Sequence, residues 1–252
     1  MKTRTPFAAG NYGYIPGGFQ YSAAVVADAG YSIERARFRR PVPMALGFER
    51  IRAHLSGLGR PLTALCSCEL RAPAPMNEPD FIAFNRDYVQ PLTDWGLFKD
   101  DVNPVARCNL VPEVAPVRET SFYAFSYTVP SGPASGGPDF VTSGAAECPD
   151  RPGYRDNIVR WGETSPDALA DKLRCALGDL ESRFALMGVS WADVMHTQLY
   201  TVHNLHHTME RELARRGALA GGLCWHWVRP PVVDIEIELD ARSVSREILL
   251  AA

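Results

Sequence analysis

The sequence predicts an α+β protein: two tandem copies of one β-β-α-β-α-β-β module, with helices on one face of each mixed sheet. Three observations carry this. The segment Gly59–Leu70 has a counterpart in Gly188–Leu199, each preceded by an amphipathic helix and followed by a short loop and a second helical stretch. A repeat of that length reports architecture before any single residue does. Around both copies, apolar residues recur every second position in some stretches and every third or fourth in others, the signatures of half-buried strands and one-faced helices. Between the copies, Pro130–Pro138 is made of Pro, Gly, Ser and Ala, a linker composition that holds no regular element. The expected units are 19–130 and 139–252, with 130–138 as linker and 1–18 as an N-terminal extension.

Taken in order, Tyr21–Val26 reads as a strand and Tyr31–Phe38 as a second, alternating one. Met44–Leu58 is helical, with Phe48, Ile51 and Leu55 on one stripe. Leu62–Leu70 is a strand, Phe81–Val89 a helix, and Val105–Val111 with Phe122–Val129 a β-hairpin. The second half repeats the order. Asp139–Gly144 is a strand ending in glycine. Ser165-Pro166 opens the longest helix, since Ser is a favoured N-cap and Pro is preset for the first helical position; Leu169, Leu173, Leu177, Leu180 and Phe184 form its stripe. Met195–Val202 is a strand and Leu205–Arg216 a helix. Gly221–Val228 and Val233–Ala241 form a closing hairpin. If helices cover one face of each sheet, the other face needs a partner, so further association is expected.

Composition narrows the function. Hydrophobic residues make up 46% and charged residues 22% of 252, which is ordinary for a soluble globular protein. The net charge is −3 and no basic run exceeds Arg39-Arg40 or Arg215-Arg216, against the concentrated positive patch that nucleic acid requires. Met1–Gly18 lacks the apolar core of a secretory signal, and no apolar stretch approaches a membrane span. Six cysteines without a regular framework fit a reducing cytoplasm, the expected location. No glycine-rich phosphate loop follows a strand, so no cofactor is expected.

The order and spacing of these pieces, found twice, resemble the RidA/YjgF/YER057c family, also labelled L-PSP endoribonuclease. The matching pieces are Tyr21–Val25, Phe84–Tyr88, Ala106–Val111, Phe140–Gly144, Trp191–Val194 and Asp234–Glu238, and they cover nearly the whole chain as two tandem family units. The resemblance implies a chorismate-mutase-like fold, assembly as a homotrimer, and clefts between neighbouring units. It also implies hydrolysis of reactive enamines or imines, or action on aminomuconate-type compounds.

Such chemistry needs a cation for a carboxylate, a placed water and an acid/base group near neutral pH. Arg107 matches the family's substrate-binding arginine, and its planar fork suits a carboxylate. Glu236, on the last hairpin, matches the active-site glutamate, and Tyr21 the tyrosine that lines the cleft; these two are the catalytic candidates. Asn85 is a weaker match on the second helix. Cys108 and Cys224 flank the presumed cleft, and Tyr123, Trp225 and Trp227 are candidate aromatic walls. Neither half carries the whole set: no carboxylate follows Arg107 in the strand Ser121–Tyr127, and Gly221–Cys224 stands where the arginine belongs in the second half. Either Arg107 and Glu236 meet across a cleft between unlike units, or the ancestral site has degenerated and aromatic residues have reshaped it for a flatter, conjugated acid.

Other constellations read as structural. His203, His206 and His207 lack a matching carboxylate or Cys ligand nearby in sequence, so no metal is expected. Cys66 and Cys68 share one strand face as packing. His226 is a packed strand histidine, and Arg229 sits too near a turn to replace the missing arginine. The expected activity is cofactor-independent deamination of an enamine or imine of a small or conjugated carboxylic acid, with ammonia released. A non-catalytic acid-binding protein, or a hydrolase or isomerase of a cyclic or muconate-like acid, is the alternative.

Overall fold

The computed structural model describes residues 3–131, 137–149 and 151–250, so the interior of the expected linker lies outside the described residues. Two short strands, β1 (Thr5–Phe7) and β2 (Tyr12–Ile15), precede β3 (Ala24–Ala27) and the long β4 (Tyr31–Pro43). Helix α1 (Met44–Gly57) leads to β5 (Leu65–Arg71), and helix α2 (Glu78–Asp94) to β6 (Ala106–Pro112) and β7 (Ser121–Pro130). Then come β8 (Phe140–Thr142), β9 (Ala145–Ala146), the single turn α3 (Tyr154–Asn157) and the long α4 (Pro166–Met187). The chain ends through β10 (His196–Tyr200), α5 (His206–Glu212), β11 (Leu223–His226), β12 (Val228–Arg229), β13 (Glu238–Ser243) and β14 (Arg246–Leu250).

Local signals behave as the sequence requires. Ser165 caps α4 by accepting from Ala168 N, Pro166 is its first residue, and Gly188 ends it at φ 75°, the left-handed turn that glycine adopts without a Cβ penalty. Asn77 caps α2 the same way. Leu62–Ala64 forms a 3-10 turn before β5 rather than a strand. The helix expected over Leu205–Arg216 is α5 followed by a 3-10 turn at Ala214–Arg216.

The strands form two sheets. One runs β1-β2-β3-β8-β13-β10-β11, with β9 paired to β13; the other runs β12-β6-β5-β7-β4-β14. Sheet membership does not follow the halves of the sequence. β1, β2 and β3 join the second-half sheet, while β12 and β14, from the second half, border the first-half sheet. Neither expected hairpin forms. β5 lies between β6 and β7, parallel to β6 and antiparallel to β7, and β10 lies between β11 and β13 in the same way. A parallel neighbour needs a crossover, and α2 and α5 supply it, which leaves the middle strand flanked by its two successors.

Phe48, Ile51 and Leu55 of α1, with Tyr88 and Leu92 of α2, pack on Leu70 and Phe122 of the six-stranded sheet. Leu173, Leu177, Leu180 and Phe184 of α4 pack on Phe140 and Leu239 of the other. The faces without helices find a partner inside the chain: Tyr12, Val25 and Val141 of one sheet cluster with Ile33, Cys66 and Ala106 of the other. A register shift between Leu65 and Ser67 puts Cys66 in this inter-sheet cluster and Cys68 in the helix-side one, so the two thiols do not share a face. Among the described residues no helix is long and apolar enough to cross a membrane.

Candidate active site

Where β6 meets the segment after β8, backbone bonds join the sheets. Arg107 N donates to Ser143 Oγ at 2.8 Å, and Gly144 N donates to Arg107 O at 3.2 Å. Ser143 Oγ donates in turn to Ser22 O at 2.5 Å, which brings the residue beside Tyr21 into the seam. A cavity of about 60 Å³ opens there, with residues from both sheets on its walls.

Arg107 is 3% exposed. Its guanidinium carbon lies 4.6 Å from the ring centre of Tyr88, 5.1 Å from Tyr21, 5.6 Å from Phe84 and 5.7 Å from Phe81. Aromatic faces hold a cation electrostatically without neutralising it. Among the described residues Arg107 makes no ion pair, and its Nη1 is buried without a hydrogen-bond partner. Asn109, two residues on and on the same strand face, also lines the cavity, and both its amide atoms are buried without partners. On the opposite wall, Arg183 of α4 donates to Ser143 O at 2.6 Å and to Asp179 at 2.5 Å, and its Nε has no partner. Buried polar groups are ordinarily paired; three residues with orphaned atoms around one cavity describe a polar surface built for a ligand.

Glu238 opens β13 and lines the same cavity, 7% exposed. Burial pushes its carboxyl up to about 8; Asp240 adds to this, while the Cys108 hydrogen bond and the Arg183 and Arg107 cations oppose it. That shift brings its titration toward neutral pH, where an acid/base group must be able to exchange a proton. A Cβ at residue 144 would overlap the Glu238 carboxylate, so Gly144 is what lets that side chain lie against the seam. Phe81, Tyr154, Val232 and Ile235 supply the apolar wall.

The structure brings Arg107 and Tyr21 together as expected, but with Glu238 rather than Glu236. The expected strand Val233–Ala241 joins the ladder only at Glu238. Just before it, the Glu147 carboxylate accepts from Glu236 N at 2.6 Å and Ile237 N at 3.0 Å, in place of a neighbouring strand. Glu236 then points to His203 Nε2 at 2.6 Å, whose hydrogen bond holds its carboxyl below the usual range, and it does not line the cavity. Cys108 does not line it either; its Sγ donates to Glu238 Oε1 at 3.3 Å from behind, and burial raises the thiol far above its ordinary value. Asn85 is fully buried with both amide atoms unpartnered, on the α2 face that carries Phe81 and Tyr88, but outside the cavity lining.

The remaining candidates lie elsewhere. Tyr123 and Cys224 line a separate groove. Trp225 donates Nε1 to Thr201 O at 3.0 Å and lies tilted against the His206 ring, Trp227 is exposed, and neither lines the Arg107 cavity, so these aromatic residues do not reshape it. Arg229 pairs with Glu113. His226 bonds Gln198 at 2.8 Å, and His207 bonds Pro166 O. Sequence reasoning missed Glu238, Asn109 and Arg183. The i, i+2 spacing of Arg107 and Asn109 on a strand was a usable signal for one of them; Arg183, on a helix of the other half, had none.

Comparisons with known proteins bear on the family and the fold. The family model described as 2-aminomuconate deaminase CnbZ matches residues 4–248. The 2-amino-5-chloromuconate deaminase of Comamonas testosteroni is 47% identical over 253 residues, covering 99% of this chain and 100% of that protein. Among solved structures, a chorismatase is similar with a TM-score of 0.53 at 14% identity, covering 88% of this chain and 77% of that one; it shows the fold alone. The YjgF gene product of E. coli is 21% identical, with a TM-score of 0.32, over 47% of this chain and 88% of its own. With the α+β, chorismate-mutase-like architecture in place and a family match spanning nearly its full length, the chain belongs to the 2-aminomuconate deaminase CnbZ family, enzymes that act on a carbon–nitrogen bond.

Proposed function

We propose that the protein hydrolyses the enamine or imine of a 2-aminomuconate-type acid, a planar conjugated carboxylate, to the corresponding 2-keto acid and ammonia in the Arg107–Glu238 cavity. The observation that carries this reading is a buried guanidinium with an unpartnered Nη1 in the same cavity as a buried carboxyl that its surroundings raise to about 8. Arg107 takes the substrate carboxylate in a fork-to-fork pair, and Tyr21 and Phe81 flank its conjugated chain. Asn109 and the Arg183 Nε offer polar contacts to the rest of it. Glu238 gives its proton to the enamine carbon, which produces the iminium. The resulting carboxylate takes a proton from the attacking water as the new C–O bond forms at the imine carbon. That proton passes to the nitrogen, and as the C–N bond breaks the hydroxyl proton returns to Glu238 while the C=O bond forms, so enamine plus water becomes ketone plus ammonia and the carboxyl is again protonated. The name of the Comamonas relative supports a muconate-type substrate.

The test is ammonia release from freshly generated 2-aminomuconate. Glu238→Gln is expected to lower kcat about 10²- to 10⁴-fold, the usual contribution of a positioned acid/base group, with little change in KM. Arg107→Ala is expected to raise KM by about tenfold or more, the worth of a charge-assisted hydrogen bond. Unchanged turnover in Glu238→Gln would overturn the assignment. Saturable binding without ammonia in the wild type would leave a binding protein in its place.

A further inference from the structure

A second groove, of about 340 Å³, opens between β4 and β14 of one sheet and β10 and β11 of the other, and shares no lining residue with the Arg107 cavity. We propose that it is a separate binding site for a small oxyanion, a carboxylate or a phosphate, held by Arg37 beside the Tyr123 hydroxyl.

Charge around the groove is unequal. Arg35 is tied to Glu69 by two bonds, at 2.6 and 2.7 Å. Arg242 donates to Glu247 at 2.9 Å and lies 3.8 Å from Asp240. These pairs use the carboxylates around the groove. Arg37 reaches only the Tyr123 hydroxyl, at 3.1 Å. Arg71, 4% exposed, lies 4.0 Å over the Tyr123 ring and donates to Leu70 O. Neither Arg37 nor Arg71 makes an ion pair among the described residues. Four guanidiniums, of Arg35, Arg37, Arg71 and Arg242, therefore stand against three carboxylates, of Glu69, Glu247 and Asp240.

Two histidines in the groove feel the imbalance. Burial, then Arg71, lowers His226 to about 4; burial, then Arg242, lowers His196. Glu69 opposes the shift at His226 and Glu247 opposes it at His196, without cancelling it. Both imidazoles are thus neutral at physiological pH beside an unspent positive field. An anion entering the groove reverses that balance, because a nearby negative charge favours the imidazolium. By linkage the anion binds more tightly as pH falls toward the raised histidine value. Arg37 is exposed and so free to close on a ligand, while Arg71, which does not line the groove, stays fixed over the Tyr123 ring.

The experiment follows the imidazole proton resonances of His226 and His196, assigned with His226→Gln and His196→Asn, during titration with inorganic phosphate and, separately, succinate. Wild type is expected to give a saturable shift and a higher His226 pKa with at least one of the two, and the one that binds identifies the ligand's source. Arg37→Ala should weaken that binding about tenfold, the effect of losing one charge-assisted hydrogen bond, and Arg37→Lys should restore part of it. Arg107→Ala should leave the groove titration unchanged, which separates this site from the deaminase reading. Three results would overturn the proposal: no saturable shift, a shift indifferent to Arg37→Ala, or histidine resonances that already depend on protein concentration and so report a second copy of the chain in the groove.

Discussion

In the proposed reaction Glu238 is the residue on which the chemistry turns, because its environment and not its type brings its titration toward neutral pH. Its carboxyl is raised to about 8, chiefly by burial. A carboxyl raised on folding contributes stability that is fully present below its unfolded value and is lost as pH rises through the folded one. Stability should therefore decline between roughly pH 4.5 and 8, and Glu238→Gln should flatten that slope in urea denaturation. The same group sets the alkaline limb of kcat/KM. Cys108 tunes it, since its Sγ donates to Glu238 Oε1 at 3.3 Å and a thiol is a weak donor. Cys108→Ser, a stronger donor to the carboxylate, should move the limb to lower pH, and Cys108→Val should move it higher. Coincident profiles for the three proteins would rule out this coupling.

At the scale of elements, the entry to β13 decides which carboxylate reaches the cavity. Glu147 and Lys172 are both fully buried, with Nζ and Oε1 3.3 Å apart, and the same Glu147 carboxylate takes the two backbone N–H groups of Glu236 and Ile237. Removing one partner of a buried pair strands the other charge, at a cost of about 3–5 kcal/mol. Glu147→Ala should lower stability by about that much and also reduce kcat, because Glu238 follows the segment it anchors. Lys172→Met in the Glu147→Ala background should recover stability but not kcat. A full recovery of both would show that Glu147 balances charge and positions nothing.

Across the whole molecule, the two sheets are completed by strands from each other's half of the sequence. β3 pairs with β8 and β14 with β4, and the inter-sheet cluster of Tyr12, Val25, Cys66 and Val141 belongs to both. Severing the chain within 132–136 should therefore yield fragments that do not unfold cooperatively alone. Mixed together, they should regain a single calorimetric transition and ammonia release. Independent folding of either fragment would show that the exchanged strands are dispensable.

What the sequence determined by itself is local. Ser165-Pro166 and Gly188 bounded the longest helix, the repeat announced two similar units, and Arg107 and Tyr21 stood out by their setting. The tertiary structure decided strand neighbours and the identity of the acid. Adjacency in sequence favoured two hairpins, but helical crossovers placed β5 and β10 in the middle of their groups. Glu236 and Glu238 are equivalent in an alternating pattern, and only the point at which the ladder begins separates them. That point is set by Glu147, a residue 89 positions away from Glu236. Patterns of two and of three to four residues report which side of an element is buried; they carry no information about which distant element will satisfy a backbone group. The cavity beside Arg107 is made of such distant agreements.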